Sequence, residues 1–306
     1  MSERKNATQK LTRLAGCLGA EIHGINLGRA SQSTIDDIKA LLLEHQVLFF
    51  PDQNLGIEQH VALGRNFGEL ESHPHLNNPF TRHPEVFELA ASHGGVADEW
   101  HSDISFQSSP SVMSILNMVE CPGVGGDTLW ASCYAGYDNL SDPLKDMLEG
   151  LTALHDASPH GNPDICAIHP VVRIHPQTGR KSLFVNEHFT RRIVELSHPE
   201  SRWLLDYLFN WIASPRFTVR YRWQQGTIAM WDNRCTQHFV LNDFDEQRII
   251  QRVTVTGDNP KAVKPSPWRP YTRAENAGAS SRFDEQLNAV LGQEAILLSS
   301  NRKFES

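Results

Sequence analysis

Apolar residues recur along this chain in two rhythms. Residues 33–44, STIDDIKALLLE, put Ile35, Ile38, Leu41 and Leu42 on one face at helical spacing, with Ser33 as the expected N-cap. Segments 57–67 and 199–213 read as further helices. The second rhythm is shorter. VLFF at 47–50, closed by Pro51-Asp52, reads as a buried strand ending in a turn. VFELAA (86–91), VMSILNMV (112–119), VVRIH (171–175), FTVRYRW (217–223), TIAMW (227–231) and IIQRVTVTG (249–257) are rich in β-branched and aromatic residues. FTVRYRW and IIQRVTV alternate apolar with polar, as half-buried antiparallel strands do.

Many short strands with a few helices predict a mainly β fold with flanking helices, a sandwich or jelly roll. Regular βαβ alternation is missing, and so is any GxGxxG or GxxxxGK[ST] loop, which argues against the nucleotide-binding folds. No linker or repeat divides residues 1–260, which are expected to form a single domain. From 261 the chain turns Pro-rich and polar (KAVKPSPWRPYTRAENAGASS). This reads as an extended surface segment followed by an amphipathic helix over 282–298, together a C-terminal extension over 261–306.

Composition narrows the function. A 306-residue chain with 40% hydrophobic and 21% charged residues has ample material for a core. Its net charge of -8 disfavours nucleic acid and anionic membrane as partners, but leaves room for a small anion held by local arginines. The five cysteines are widely spaced with no CxxC pair, which disfavours a disulfide framework or structural zinc and suits a reducing cytosol. The polar N-terminus, MSERKNATQK, does not read as a signal peptide, and no apolar run approaches the length of a membrane span. A cytoplasmic protein is expected.

The chemistry begins at Trp100-His101-Ser102-Asp103. In extended backbone, residues two apart share a face, so the His101 imidazole and the Asp103 carboxylate can meet one ion. A short HxD match is common by chance among 15 histidines, so a third ligand has to be found. His238, just past the strand TIAMW in WDNRCTQHFVLNDF, is the best candidate. The rival histidines His73, His75 and His93 lack a comparable carboxylate. Two imidazoles and a carboxylate on one octahedral face leave three positions open, the arrangement of non-haem Fe(II) oxygenases. A chelating 2-oxo acid fills two of them and leaves the third for O2.

Arg248 and Arg252, four apart, fall on one face of a strand. One inward guanidinium could fork onto the distal carboxylate of 2-oxoglutarate, and the second onto a substrate anion or the other end of the co-substrate. The same spacing also fits two solvated arginines on an outer face. Thr128, in GGDTLW, could donate a hydroxyl to that carboxylate, and Gly125-Gly126-Asp127 reads as the turn that returns its strand to the sheet.

WHSDISF, GGDTLWAS, VNEHFTRRI, WDNRCTQH and DFDEQRIIQRVTVTGD, in this order, closely resemble the taurine dioxygenase group of Fe(II)/2-oxoglutarate oxygenases, over roughly residues 10 to 260. The resemblance implies a double-stranded β-helix (jelly roll) core, and oxidative decarboxylation of 2-oxoglutarate to succinate and CO2 coupled to substrate hydroxylation. It also implies Fe(II), with 2-oxoglutarate and O2 as co-substrates. By position it makes His101, Asp103 and His238 the iron ligands. Thr128 and Arg248 become the co-substrate anchors, and Arg252, His73 and Phe189 the substrate contacts. Relatives of this kind imply a homo-oligomer, a dimer or tetramer.

Two positions depart from the taurine pattern. Leu76 and Ala97 stand where that group surrounds the substrate amine with polar side chains, and a buried ammonium without partners is costly. The expected substrate is therefore an anion with an apolar body, an alkylsulfonate or an alkyl sulfate, giving an aldehyde plus sulfite or sulfate. The same chemistry on an aryloxyalkanoate, and a non-catalytic cupin-like metal-binding module, are the alternatives.

Overall fold

The computed structural model describes residues 10–72, 82–91, 97–271 and 285–292. Its largest sheet has seven strands. In spatial order they are β1 (Lys10–Arg13), β2 (Ala20–His23), β3 (Val47–Phe50), β13 (Ile228–Asp232), β5 (Met113–Glu120), β15 (Ile249–Val255) and β4 (Phe87–Ala90). A three-stranded sheet, β12 (Thr218–Tyr221), β6 (Thr128–Ser132) and β14 (Thr236–Val240), faces it. Two further sheets are formed by β11 (Thr190–Ile193), β7 (Thr152–Ala157) and β8 (Asn162–Pro170), and by β10 (Lys181–Leu183), β9 (Val172–Ile174) and β16 (Lys261–Ala262).

Side chains on a strand point alternately to opposite faces, and the large sheet uses both. Leu48, Phe50, Met113, Ile115, Ile228, Met230, Val253 and Val255 point outward. There they are covered by Ile35, Ile38 and Leu42 of α1 (Gln32–His45) and by Val61 and Leu63 of α2 (Ile57–Arg65). Their neighbours Val47, Phe49, Leu116, Met118, Ala229, Trp231 and Ile250 point inward, onto Trp130, Val219 and Tyr221 of the facing sheet. This explains why VLFF is buried at all four positions. At roughly 1.5–3 kcal/mol per fully buried large side chain, this two-sided packing is the main stabilising term. The inward face also carries polar residues where the alternation demands them, Ser114, Arg252 and Thr254.

Each helix and strand expected from the patterning is present in the described residues, with shifted ends. The helix expected over 33–44 starts earlier, because Ser31 and not Ser33 is the N-cap: its extended backbone aims Oγ at the Thr34 amide, 3.2 Å away. Within 282–298, residues 285–292 are helical and Leu287 is buried against Leu154 and Val194; the rest lies outside the described residues. The segment before it is held by β16 on β9 and by the Tyr271 amide on Val194 O at 2.9 Å. The five cysteines form no disulfide, and no helix among the described residues is long and apolar enough to cross a membrane.

Several histidines are packed away from water. Burial holds the imidazoles of His60 and His169 down at about 4, against an unfolded value near 6.5. Between those values the unfolded chain binds more protons than the folded one, so stability must fall as pH drops through that window. Thermal unfolding of the metal-free protein at pH 7, 6 and 5 should show a melting temperature that decreases at each step. A flat profile would contradict the buried neutral imidazoles.

Candidate metal centre and carboxylate seat

The backbones of His101 and His238 are locked together. His101 N–H donates to His238 O at 3.1 Å and His238 N–H to His101 O at 2.8 Å, an isolated antiparallel bridge. Directly opposed residues in such a pair project to one side, so the two rings lie with centroids 4.0 Å apart. Asp103 follows on the same face. Immediately after it, Ile104 adopts φ +56°, a left-handed conformation that costs a β-branched residue about 1–3 kcal/mol. That kink ends the extended run at the carboxylate.

Asp103 Oδ1 stands 3.9 Å from Nε2 of each histidine, and the three donor atoms lie within 4.8 Å of one another. Among the described residues this is the one cluster of its kind. Donors about 2.1 Å from an ion stand about 3 Å apart when adjacent, so closure by about one to two ångströms would bring all three onto a metal. His101 Nδ1 bonds to Glu99 O at 2.8 Å, which turns Nε2 toward the cluster. His238 packs against Trp231, 4.8 Å between centroids, and its Nδ1 is buried without a partner.

The electrostatics suit a cation. Burial pushes His101 down to about 4 and His238 well below the usual imidazole value, so both rings are neutral near pH 7 and carry a lone pair. Burial alone would raise Asp103, but the Arg252 guanidinium, then His238 and His101, and the Ser114 hydroxyl together hold it well below the usual carboxylate range. Ser114 donates to Oδ2 at 2.6 Å, and Arg252 NH1 bonds directly to Oδ1. Two neutral imidazoles and one ionised carboxylate fit a divalent metal such as Fe(II).

A second feature lies one strand away. His238 is opposite Trp130 and Val240 is opposite Thr128, so Thr128 shares the face of His238, roughly 7 Å along the strand. Thr128 Oγ1 accepts from Trp223 Nε1 at 2.9 Å and from Arg248 NH2 at 3.4 Å. Both partners are donors only, so the Thr128 hydroxyl proton remains free for an incoming acceptor. Arg248 also reaches Gly126 O at 3.1 Å, is buried, and is brought down to about 10 by that burial. No carboxylate among the described residues pairs with it, because nearby Asp127 is taken by Arg220 at 2.6 Å. A buried guanidinium without a counter-ion is a seat for an external carboxylate. The glycines of the preceding turn are required here. Gly125 and Gly126 have φ of +81° and +67°, and a Cβ at Gly125 would sit 2.3 Å from Asp243 O.

The expected residues therefore fall into two groups. His101, Asp103 and His238 converge, and Thr128 meets Arg248. Arg252 separates from Arg248 and joins the Asp103 carboxylate, its Nε buried without a partner. Phe189 lies edge-on to His101 with centroids 6.3 Å apart, packed with Ile104, Phe106 and Ala157. His73, the histidines His75 and His93, and Leu76 lie outside the described residues. Three residues went unread in the sequence: Ser114, Trp223 and His188. The His188 ring lies 5.6 Å from that of His101, and Glu99 holds its Nδ1 at 2.5 Å. No local signal marked Ser114, whose strand also carries Asn117.

A buried face of two histidines and one carboxylate, with a buried arginine beside Thr128 of the adjoining strand, defines a non-haem metal oxygenase class of site. The sequence profile of the taurine catabolism dioxygenase TauD, TfdA family matches residues 9–254, and the chain belongs to that family. An alkylsulfatase from Acinetobacter baylyi is 36% identical over 280 residues, 83% of this chain and 87% of its own. An alpha-ketoglutarate-dependent sulfate ester dioxygenase from Pseudomonas putida is 34% identical over 276 residues, 82% of this chain and 90% of its own. The crystal structure of a taurine dioxygenase from Burkholderia xenovorans aligns with TM-score 0.76 and 36% identity, over 84% of this chain and 93% of that one.

Replacing His238 with Ala should weaken Co(II) binding, measured by calorimetry, by more than about a hundredfold while leaving the fold intact by circular dichroism. Unchanged Co(II) affinity would remove His238 from the centre.

Proposed function

We propose that this chain is an Fe(II)- and 2-oxoglutarate-dependent dioxygenase that hydroxylates a small organosulfur anion with an apolar body, an alkyl sulfate or alkylsulfonate. The observation that carries the reading is the pairing of the buried His101/Asp103/His238 face with the uncompensated Arg248 seat. Iron, held by those three donors, supplies the oxidising chemistry with O2. One oxygen atom of O2 enters succinate as 2-oxoglutarate loses CO2, and the other enters the C–H bond beside the heteroatom. The resulting hemiacetal-like product breaks its carbon–heteroatom bond to give an aldehyde and sulfate or sulfite.

The protein's part is placement. Thr128 and Arg248 hold the remote carboxylate of 2-oxoglutarate, one with a free hydroxyl proton and the other with an unneutralised charge. Arg252 sits at the metal carboxylate with an unspent Nε donor, and we assign it to the substrate anion, with His73 as a second contact. Phe189, with Ile104 and Phe106, forms an apolar wall against which the carbon chain lies and water is excluded. Ala97 offers no polar side chain to an ammonium, which favours alkyl sulfates and simple alkylsulfonates over taurine.

The same reading places this chemistry on a jelly-roll domain spanning 1–260, with 261–306 as an extension docked on it through Leu287. It also makes the protein a cytoplasmic homo-oligomer. The inner core between the two facing sheets supports the domain, and the five unpaired thiols suit a reducing compartment.

A panel of alkyl sulfates, alkylsulfonates and aryloxyacetates, assayed with Fe(II), O2 and 2-oxoglutarate, should release succinate with the organosulfur anions and stoichiometric sulfate or sulfite. Turnover confined to aryloxyacetates would move the substrate to carboxylates. An absent visible charge-transfer band on anaerobic addition of Fe(II) and 2-oxoglutarate would favour a non-catalytic module. Replacing Arg248 with Met should raise the KM for 2-oxoglutarate by roughly 10–100-fold, the value of a charged hydrogen-bond partner. An unchanged KM would move the anchor elsewhere.

A further inference from the structure

We infer that Ser114 and Asn233 are positioning residues that hold Asp103 to single-oxygen coordination, Oδ1 toward the metal and Oδ2 toward Ser114; this rests on the metal reading above. Asn233 lies in the turn between β13 and β14, almost fully buried, with its backbone N–H on Val112 O at 3.0 Å. Ser114 is completely buried on β5, opposite Trp231 of β13 and Thr254 of β15.

The direction of every hydrogen bond in this group is forced. The indole of Trp231 can only donate, and it donates to Asn233 Oδ1 at 2.9 Å. The Asp103 backbone N–H also donates to that oxygen, at 3.3 Å. The amide of Asn233 is therefore fixed, and its Nδ2 faces Ser114 Oγ at 3.0 Å. Ser114 must accept there, so its single proton goes to Asp103 Oδ2 at 2.6 Å. A strong donor on Oδ2 turns that oxygen away from the cluster. Oδ1, which also accepts from the Arg252 guanidinium, is the oxygen that faces both histidines, 3.9 Å from each Nε2.

The consequence is an open site. A carboxylate that chelated through both oxygens would occupy one of the three positions that a 2-oxo acid and O2 need. Nothing in the two histidines prevents this; the Trp231–Asn233–Ser114 chain does.

The test uses Co(II), whose visible absorption reports coordination number, bound to the full-length protein, together with calorimetric affinity. Replacing Ser114 with Ala removes one oxygen atom, and metal-free melting checks that the variant folds. We expect Ser114→Ala to lose roughly 10-fold or more in Co(II) affinity and to change the absorption envelope. Ser114→Thr, which keeps the hydroxyl, should stay close to wild type. Asn233→Asp breaks the chain independently: a carboxylate there cannot donate to Ser114, frees the hydroxyl to turn away from Asp103, and should give the same spectral change. Wild-type affinity and spectrum in both Ser114→Ala and Asn233→Asp would overturn the inference. Wild-type protein that fails to bind Co(II) at all would instead overturn the metal reading on which it rests.

Discussion

A carboxylate shut away from water either finds compensation or takes up a proton, and Asp103 is only 3% exposed. Much of the centre can be read as the arrangement that keeps it charged. Arg252 lies on one oxygen and Ser114 on the other, with two neutral imidazoles alongside. The histidines are neutral for the opposite reason: burial removes the water that would stabilise a second and third positive charge beside Arg252. The result is one ionised carboxylate, paired with Arg252, and two imidazole lone pairs converging among buried side chains, a donor set that suits a divalent metal.

The large sheet makes this possible because its two faces do different work. Its outward residues bury against α1 and α2 and supply a core that needs no contribution from the interior. The inward face can then carry Ser114, Arg252 and Thr254 among apolar neighbours, and Ser114 and Arg252 both meet the Asp103 carboxylate. The turn from Trp231 to His238 crosses from one sheet to the other, holding Asn233 at the carboxylate while the strand after it, β14, presents His238. Asp232 anchors the same turn through Arg234 and His175, at 2.6 and 3.0 Å.

The sequence revealed whatever is local and periodic. The strands β3, β4, β5, β9, β12, β13 and β15, the three long helices and the His101/Asp103 pair depend on local composition and on spacings of two or of three to four, which need no knowledge of neighbours. β7 (TALHDA) and β8 (NPDICAIHP) are six and nine residues long, yet His, Asp and Pro interrupt their apolar positions and leave no clean alternation to read. The N-cap at Ser31 depends on backbone dihedrals two residues before the apolar run. His238 was placed beyond a strand, whereas it sits within one, on the opposite sheet from β13; its pairing with His101 is long-range and leaves no periodic trace. Ser114 illustrates the limit most clearly. Inside VMSILNMV it reads as an ordinary strand serine, and only the register with Trp231 and Thr254 brings it to Asp103. The separation of Arg248 from Arg252 was equally hidden, since a spacing of four gives a shared face but not the partner each guanidinium finds.

The proposed reaction requires one ion shared by three side chains from distant parts of the chain, His101, Asp103 and His238. Crystals grown with Mn(II) and 2-oxoglutarate under anaerobic conditions would test it through the anomalous scattering of manganese. The predicted result is a single strong peak bonded to His101 Nε2, Asp103 Oδ1 and His238 Nε2, with the remote carboxylate of 2-oxoglutarate on Arg248 and Thr128. A peak elsewhere, or a centre closed on all sides by protein atoms, would contradict it.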